Sequence, residues 1–203
     1  MRVLFTGATG FIGLPIVQCL VKQGDSVLAL SRSEPTMALA SSVKWLQADL
    51  ASLTNESAQE ILVAISQDFE VLDGIIHNAA ILGTMSPLAD YDLSTWDKVM
   101  NVNLRAPFIL TKTLKVMLED AGMPRLIFTS SGVANVGKSF WGAYSVSKFG
   151  MKGLAEIFVD ELETTSNIKV FNFDPGKTRT SMRATAYPAE DPRTLKTADE
   201  LLD

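Results

Sequence analysis

Tyr144 and Lys148 stand four residues apart in GAYSVSK, and Ser131 precedes the tyrosine by thirteen. On a helix a spacing of four puts both side chains on one face, one turn apart. A cation beside a phenol favours the phenolate, so the pair reads as a proton donor and acceptor usable near neutral pH. Ser131 follows the apolar run RLIFT, which reads as a strand. A hydroxyl there can hydrogen-bond a carbonyl or alcohol oxygen. Together the three residue types suit proton transfer to or from such an oxygen, the chemistry of an oxidoreductase.

Other elements must carry and serve this group. Val3-Leu4-Phe5 is a short apolar run that breaks at TGATGFIG, with glycines at Gly7, Gly10 and Gly13. A helical pattern follows, with Ile12, Ile16, Val17, Leu20 and Val21 on one face, and Gly24 ends it. Pro15 falls within the first four helical positions, where no intrahelical N–H bond is lost. A second strand spans 27–30. Strand, glycine-rich turn, helix and strand is the context in which glycines let the backbone approach a pyrophosphate at a helix N-terminus. The acidic residue usual after the second strand is missing, and Arg32 stands near its place. A carboxylate there binds a ribose 2′-OH, whereas an arginine suits a 2′-phosphate. The reading favours NADP(H) over NAD, with a solvated surface arginine as the alternative.

Further strands are predicted at 43–46, ending at Asp49-Leu50, and at 71–76, opening into His77-Asn78-Ala79-Ala80. The last two are predicted at 125–129 and at 168–173, the latter ending at Asp174-Pro175-Gly176. Residues 34–42 leave room for only a short helix or loop. Helices are predicted over 55–66, over 96–118 with a bend at Pro107, and over 144–163. Asn101 and Asn103 sit mid-helix, where asparagine is a poor choice, so one of them is kept for a contact. Six strands alternating with helices predict an α/β fold: a doubly wound parallel sheet covered on both faces, in three layers. Ligands then bind at the carboxyl ends of the strands. Gly7–Gly13, Arg32, Asp49, Asn78, Ser131 and Pro175-Gly176 all fall there.

Composition sets bounds on this reading. The 203 residues are 47% hydrophobic and 20% charged, as in a globular chain with one sizeable core. A net charge of -5 without a basic cluster argues against a nucleic-acid surface. The single cysteine, Cys19, excludes an internal disulfide and reads as a small core hydrophobe. The single histidine, His77, reads as structural. No apolar run is long enough to span a bilayer and no leader is evident, so a cytoplasmic protein without a metal or membrane role is expected.

The joint pattern of the N-terminal glycine turn, Asn78-Ala79-Ala80, Ser131, Tyr144-x-x-x-Lys148 and Pro175-Gly176 resembles the short-chain dehydrogenase/reductase family over residues 1–195. That resemblance implies a Rossmann-type fold and transfer of hydride between NADP(H), or NAD, and a small carbonyl or secondary-alcohol substrate. It implies roles as well. Tyr144 is the general acid or base. Lys148 lowers its pKa and holds the nicotinamide ribose, and Ser131 polarises the substrate oxygen. Asn103 supports a water-linked proton relay. Gly7, Gly10, Phe11, Ile12 and Gly13 cradle the pyrophosphate. Asp49-Leu50 borders the adenine, and Asn78-Ala79-Ala80 the adenosine ribose. Pro175, Gly176 and Thr178 lie at the nicotinamide end, with the Thr178 backbone at its amide. Family members are dimers or tetramers.

Two departures qualify the resemblance. The glycine spacing and the short segment between strands two and three are in the style of the family's extended branch, which includes nucleotide-sugar epimerases and dehydratases. From about residue 45 the style is that of ordinary reductases, which suggests a chimera with a junction near residues 40–50. The chain also ends after Thr197-Ala198-Asp199-Glu200, a capping-box signature, before a seventh strand. Residues 1–203 are therefore expected to form one domain with six strands, an exposed sixth strand and a mobile substrate-loop remnant at 181–203. Phe140 and Trp141 either pack beneath the active-site loop or line a substrate pocket. Met182 and Tyr187 either cover substrate or belong to the mobile tail. An extended-branch epimerase and a non-catalytic dinucleotide-binding module are the competing readings.

Overall fold

The computed structural model describes residues 1–32 and 43–202. Six strands form one parallel sheet in the order β3-β2-β1-β4-β5-β6. They are β1 (Arg2–Thr6), β2 (Ser26–Ser31), β3 (Val43–Gln47), β4 (Gly74–His77), β5 (Arg125–Thr129) and β6 (Lys169–Phe173). The order reverses between β1 and β4, which opens a crevice beyond their carboxyl ends.

Period-two alternation builds the three layers. Leu4, Leu28, Ile75, Leu126 and Phe128 point into the larger core. There they meet α2 (Asn55–Ser66), α4 (Ala106–Glu119) and α5 (Gly142–Glu163). Phe5, Val27, Ala29 and Ile76 point the other way, towards Val17 of α1 (Gly13–Lys22). Gly24 ends the first helical excursion at φ 86°, a left-handed conformation.

β4 is shorter at its start than the apolar pattern predicts. Asp73 turns its carboxylate onto the Arg2 backbone N–H (2.7 Å) and guanidinium (3.0 Å), and its own N–H bonds the Arg2 carbonyl. The long helix also differs from expectation. It begins as α3 (Leu93–Met100), capped by Asp92, which accepts from Thr95 N–H at 2.7 Å. It then widens into a π-helical turn over Asn101–Arg105 before continuing as α4. The irregularity therefore precedes Pro107 rather than sitting on it. Proline lacks an N–H and its ring crowds the carbonyl four residues back, here Asn103; the wider turn relieves that crowding, and Ala106 N–H bonds Asn101 O instead.

Beyond β6 the chain makes a closed excursion. Thr178 and Lys196 form a parallel bridge, with Arg179 N–H to Lys196 O at 2.8 Å. Inside it lies α6 (Ser181–Ala186), where Arg183 grips Glu190 with two bonds of 2.6 Å. The Thr197 capping box does not form; a single 3-10 turn over Asp199–Leu201 starts at Ala198 without a side-chain cap. The 34–42 segment and the start of the suggested 40–50 junction lie outside the described residues. Among the described residues no helix is long and apolar enough to cross a membrane, and no cluster of ligating side chains could hold a metal ion.

Candidate active site

A cleft of about 370 Å3 opens along the carboxyl ends of the strands. Most of the residues singled out in the sequence line it. At one end are Arg32, Asp49 and Leu50; in the middle are Gly7, Gly10, Phe11, Ile12 and Asn78-Ala79-Ala80; at the other end are Tyr144, Lys148 and Pro175. Gly13, Asn103, Ser131, Gly176 and Thr178 do not line it. The same cleft is lined by Thr9, Lys98, Val102, Thr180 and Ser181, which no motif marks, and by Met182, one of the two residues expected to cover substrate or lie in the tail.

The glycine turn fits a phosphate group closely. A Cβ on Gly13 would lie 2.1 Å from Gly7 O, and one on Gly7, at φ 74°, would lie 2.9 Å from the Ala79 backbone. Only glycine lets β1, α1 and the chain after β4 approach this closely. The N-terminus of α1 has no side-chain cap, so no side chain occupies the positive end of its dipole, where an anion would rest.

Thr6, unmarked by any motif, organises this region. Its hydroxyl accepts from Asn78 N–H and Ala79 N–H, both at 3.1 Å. Asn78 Nδ2 donates to Gly7 O at 3.3 Å. The ends of β1 and β4 are thus locked together beneath the cleft. A threonine ending an apolar strand is an ordinary strand residue, so only the strand pairing reveals this role.

Tyr144 and Lys148 lie on one buried face of α5, the residues 6% and 2% exposed. Lys148 Nζ donates to Thr129 O at 2.7 Å and lies 5.7 Å from the tyrosine ring centroid. The two intervening serines hold the helix in place. Ser145 Oγ donates to Val133 O at 2.9 Å, tying α5 to the turn after Ser131. Ser147 Oγ donates to Tyr144 O at 2.7 Å and accepts from Asn103 Nδ2 at 3.0 Å. Asn103 is fully buried; its Nδ2 also donates to Ile81 O and its Oδ1 accepts from Ile81 N–H, both at 2.9 Å. Its side chain is therefore committed to these three bonds. Asn101 is kept for a contact too, donating to Ala51 O at 3.1 Å.

The two groups shift in opposite senses. Burial pushes the Tyr144 phenol up to about 12, against a hydrogen bond with Ser131 that favours the phenolate; the charge of Asp174 adds to the rise. Burial lowers Lys148 to about 8, with Asp174 opposing. At neutral pH the site holds a protonated phenol beside an ammonium.

One side of Tyr144 is covered. Leu82, Val133 and Tyr144 form a cluster against which Trp141, Met182 and Ala186 pack. Trp141 lies 5.7 Å from both the Tyr144 and Tyr187 rings. Phe140 is 54% exposed at φ 72°. Trp141 is thus packed at the site, whereas Phe140 is not. Thr178 is buried, and its hydroxyl donates to Pro175 O at 3.1 Å, closing the turn after β6.

With this geometry in hand, known proteins offer a comparison. The family model described as short chain dehydrogenase matches residues 1–191. The uncharacterized oxidoreductase YciK of Escherichia coli K12 is 35% identical over 209 residues, covering 98% of this chain and 82% of that protein. Dehydrogenase/reductase SDR family member 4 of Bos taurus is 29% identical, covering 93% of this chain and 69% of its own length. A short chain dehydrogenase of Shigella flexneri 2a, solved with NADP, superposes with a TM-score of 0.93 at 34% identity, over 98% of this chain and 86% of that one. One from Escherichia coli CFT073, solved with NADPH, gives 0.92 at 35% identity, over 98% and 86%.

Proposed function

The chain belongs to the short-chain dehydrogenase family of oxidoreductases, and from that premise we propose that it reduces a carbonyl compound with NADPH, or oxidises the corresponding secondary alcohol with NADP. One observation carries the reading: a single cleft contains the glycine turn, Arg32 and the Tyr144–Lys148 pair. When bound, the nicotinamide supplies or accepts the hydride. Arg32 takes the 2′-phosphate, and the α1 N-terminus beyond Gly7 and Gly10 takes the pyrophosphate. Asp49-Leu50 flanks the adenine, and Asn78–Ala80 the adenosine ribose. Lys148 holds the nicotinamide ribose. Pro175 and the turn closed by Thr178 border the nicotinamide.

In reduction the substrate oxygen rests between Ser131 and Tyr144. Hydride arrives at the carbonyl carbon, the π-electron pair moves to oxygen, and that oxygen takes the proton of Tyr144. A phenol held in its protonated form suits this direction. Related structures solved with NADP and NADPH support the choice of cofactor, and a cytoplasmic setting belongs to the same reading.

The test is NADPH consumption against a panel of ketones and aldehydes. Tyr144→Phe is expected to lower kcat by about 100-fold or more while NADPH still binds. Turnover that survives this substitution contradicts the assignment.

A further inference from the structure

Arg32 stands one residue beyond the pairing that holds β2 in the sheet. The register joins Ser31 to Gln47 of β3 and goes no further. Ser31 and Arg32 both line the cleft, and Arg32 is exposed. An exposed arginine has much rotamer freedom to lose before it can grip a ligand. The backbone from which it springs therefore decides how readily it meets a phosphate.

β3 holds that backbone with three bonds. Ala48 N–H donates to Ser31 O at 2.9 Å. Trp45 Nε1–H donates to Ser31 Oγ, also at 2.9 Å. Gln47 Nε2 donates to Arg32 O at 3.0 Å. Facing a carbonyl, the amide of Gln47 can bond only through its NH2 group, so its orientation is set. Trp45 and Gln47 alternate with Leu46 along β3, so they share one face of the sheet. Trp45 is paired with Ala29, and its indole reaches diagonally to Ser31, two residues further along β2. Gln47 reaches in the same direction, past the last pair. Neither Trp45 nor Gln47 lines the cleft; each bonds a residue that does.

We propose that Trp45 and Gln47 are positioning residues for the choice between NADPH and NADH: their hydrogen bonds to Ser31 Oγ and Arg32 O hold the end of β2 so that the Arg32 guanidinium meets the 2′-phosphate. The proposal rests on Arg32 being the phosphate ligand. A guanidinium grips a phosphate through paired N–H bonds of fixed geometry, so rotating the peptide that carries it weakens the grip. Gln47 and Trp45 carry no charge, and their effect on the phosphate passes through the two residues they hold. NADH has a hydroxyl in place of the phosphate and gains nothing from the arrangement. A general defect in the fold or the cleft weakens both cofactors instead.

Gln47→Met keeps the length of the side chain and removes the donor, and Trp45→Phe removes the indole N–H. Calorimetry on the full chain gives Kd for NADPH and for NADH. In each variant the NADPH Kd is expected to rise by about threefold to tenfold, the worth of one hydrogen bond, while the NADH Kd stays in place. In an Arg32→Ala background Gln47→Met is expected to change neither Kd, because the residue it holds has lost its guanidinium. An unchanged NADPH Kd in either single variant overturns the role of that residue. A parallel rise for both cofactors, or an undiminished effect of Gln47→Met when Arg32 is alanine, overturns the proposal as a whole. Failure of the underlying reading looks different: Arg32→Ala alone would then weaken NADPH and NADH alike, and the proposal would fall with it.

Discussion

His77 shows how one side chain can serve the site without touching it. It is 1% exposed, stacks on Phe128 at 5.0 Å between ring centroids, and shares a 2.8 Å hydrogen bond between Nε2 and Thr111 Oγ1. It therefore pins the end of β4, just before Asn78, to α4. Burial lowers its pKa to about 3. The unfolded chain takes up a proton near pH 6.5 that the folded chain refuses until about pH 3. Its contribution to stability is thus complete above pH 6.5 and falls by about 1.4 kcal/mol per unit below it. Chemical denaturation at pH 7 and pH 5 is expected to show a loss of about 2 kcal/mol from this group, and His77→Phe to remove it; an equal pH dependence in both proteins contradicts the assignment. The structural reading of His77 needed only its solitude in the sequence. Tyr144 and Lys148 were equally legible, since their spacing acts within one helix. Thr6 was not, because it works across strand ends that meet only in the folded sheet.

At the scale of elements, the π-helical turn over Asn101–Arg105 does more than accommodate a proline. Asn101 holds Ala51 O, and Arg105 holds Leu53 O at 2.9 Å, so two residues of this turn grip the loop after Asp49-Leu50. Asn103 grips Ile81 on one side and α5 on the other. The turn thus fixes both walls of the cleft relative to α5. Asn103→Ala strips three hydrogen bonds and leaves the Ile81 N–H and C=O without them. A loss of about 2–3 kcal/mol in unfolding free energy is expected, with a weaker cofactor affinity than Asn101→Ala alone produces. Denaturant titration and calorimetry check both, and a loss below 1 kcal/mol would count against this account. Periodicity showed the helix but not its widened turn, because the two asparagines are ambiguous until their partners are known. The loop ends of strands were similarly blurred: Asp73 reads as a strand residue until Arg2 arrives beside it.

For the whole molecule, the six-stranded order was foreseeable as a class. Alternating apolar runs and helical patterns leave few ways to cover both faces of a parallel sheet. Local patterns do not encode which strands are neighbours; the glycine turn at the first crossover did, by marking where a dinucleotide must lie. That placement makes the cofactor a brace between the two sides of the sheet, with Arg32 beyond β2 and Lys148 beside β5. A ligand bound only by the folded state raises stability by about 2.7 kcal/mol at 100 times its Kd. NADPH at that excess is expected to raise the thermal midpoint clearly. Arg32→Ala is expected to reduce the NADPH shift while leaving that of NADH in place, and equal reductions for both would contradict the 2′-phosphate assignment. Among the described residues β6 lies at one end of the sheet order, and its Phe171 and Phe173 are 48% and 39% exposed.

The bridge between Thr178 and Lys196 has a consequence for how such a protein can diverge. The excursion it closes begins and ends at nearly the same point, so its length is uncoupled from the spacing of the strands. Lengthening a closed loop costs only about 0.6 kcal/mol per doubling. Residues between the two ends of the bridge can therefore be gained, lost or exchanged without moving β6, the Pro175-Gly176 turn or Asp174. New substrate preferences can be tried there by insertion and deletion, while the machinery for proton transfer is inherited unchanged.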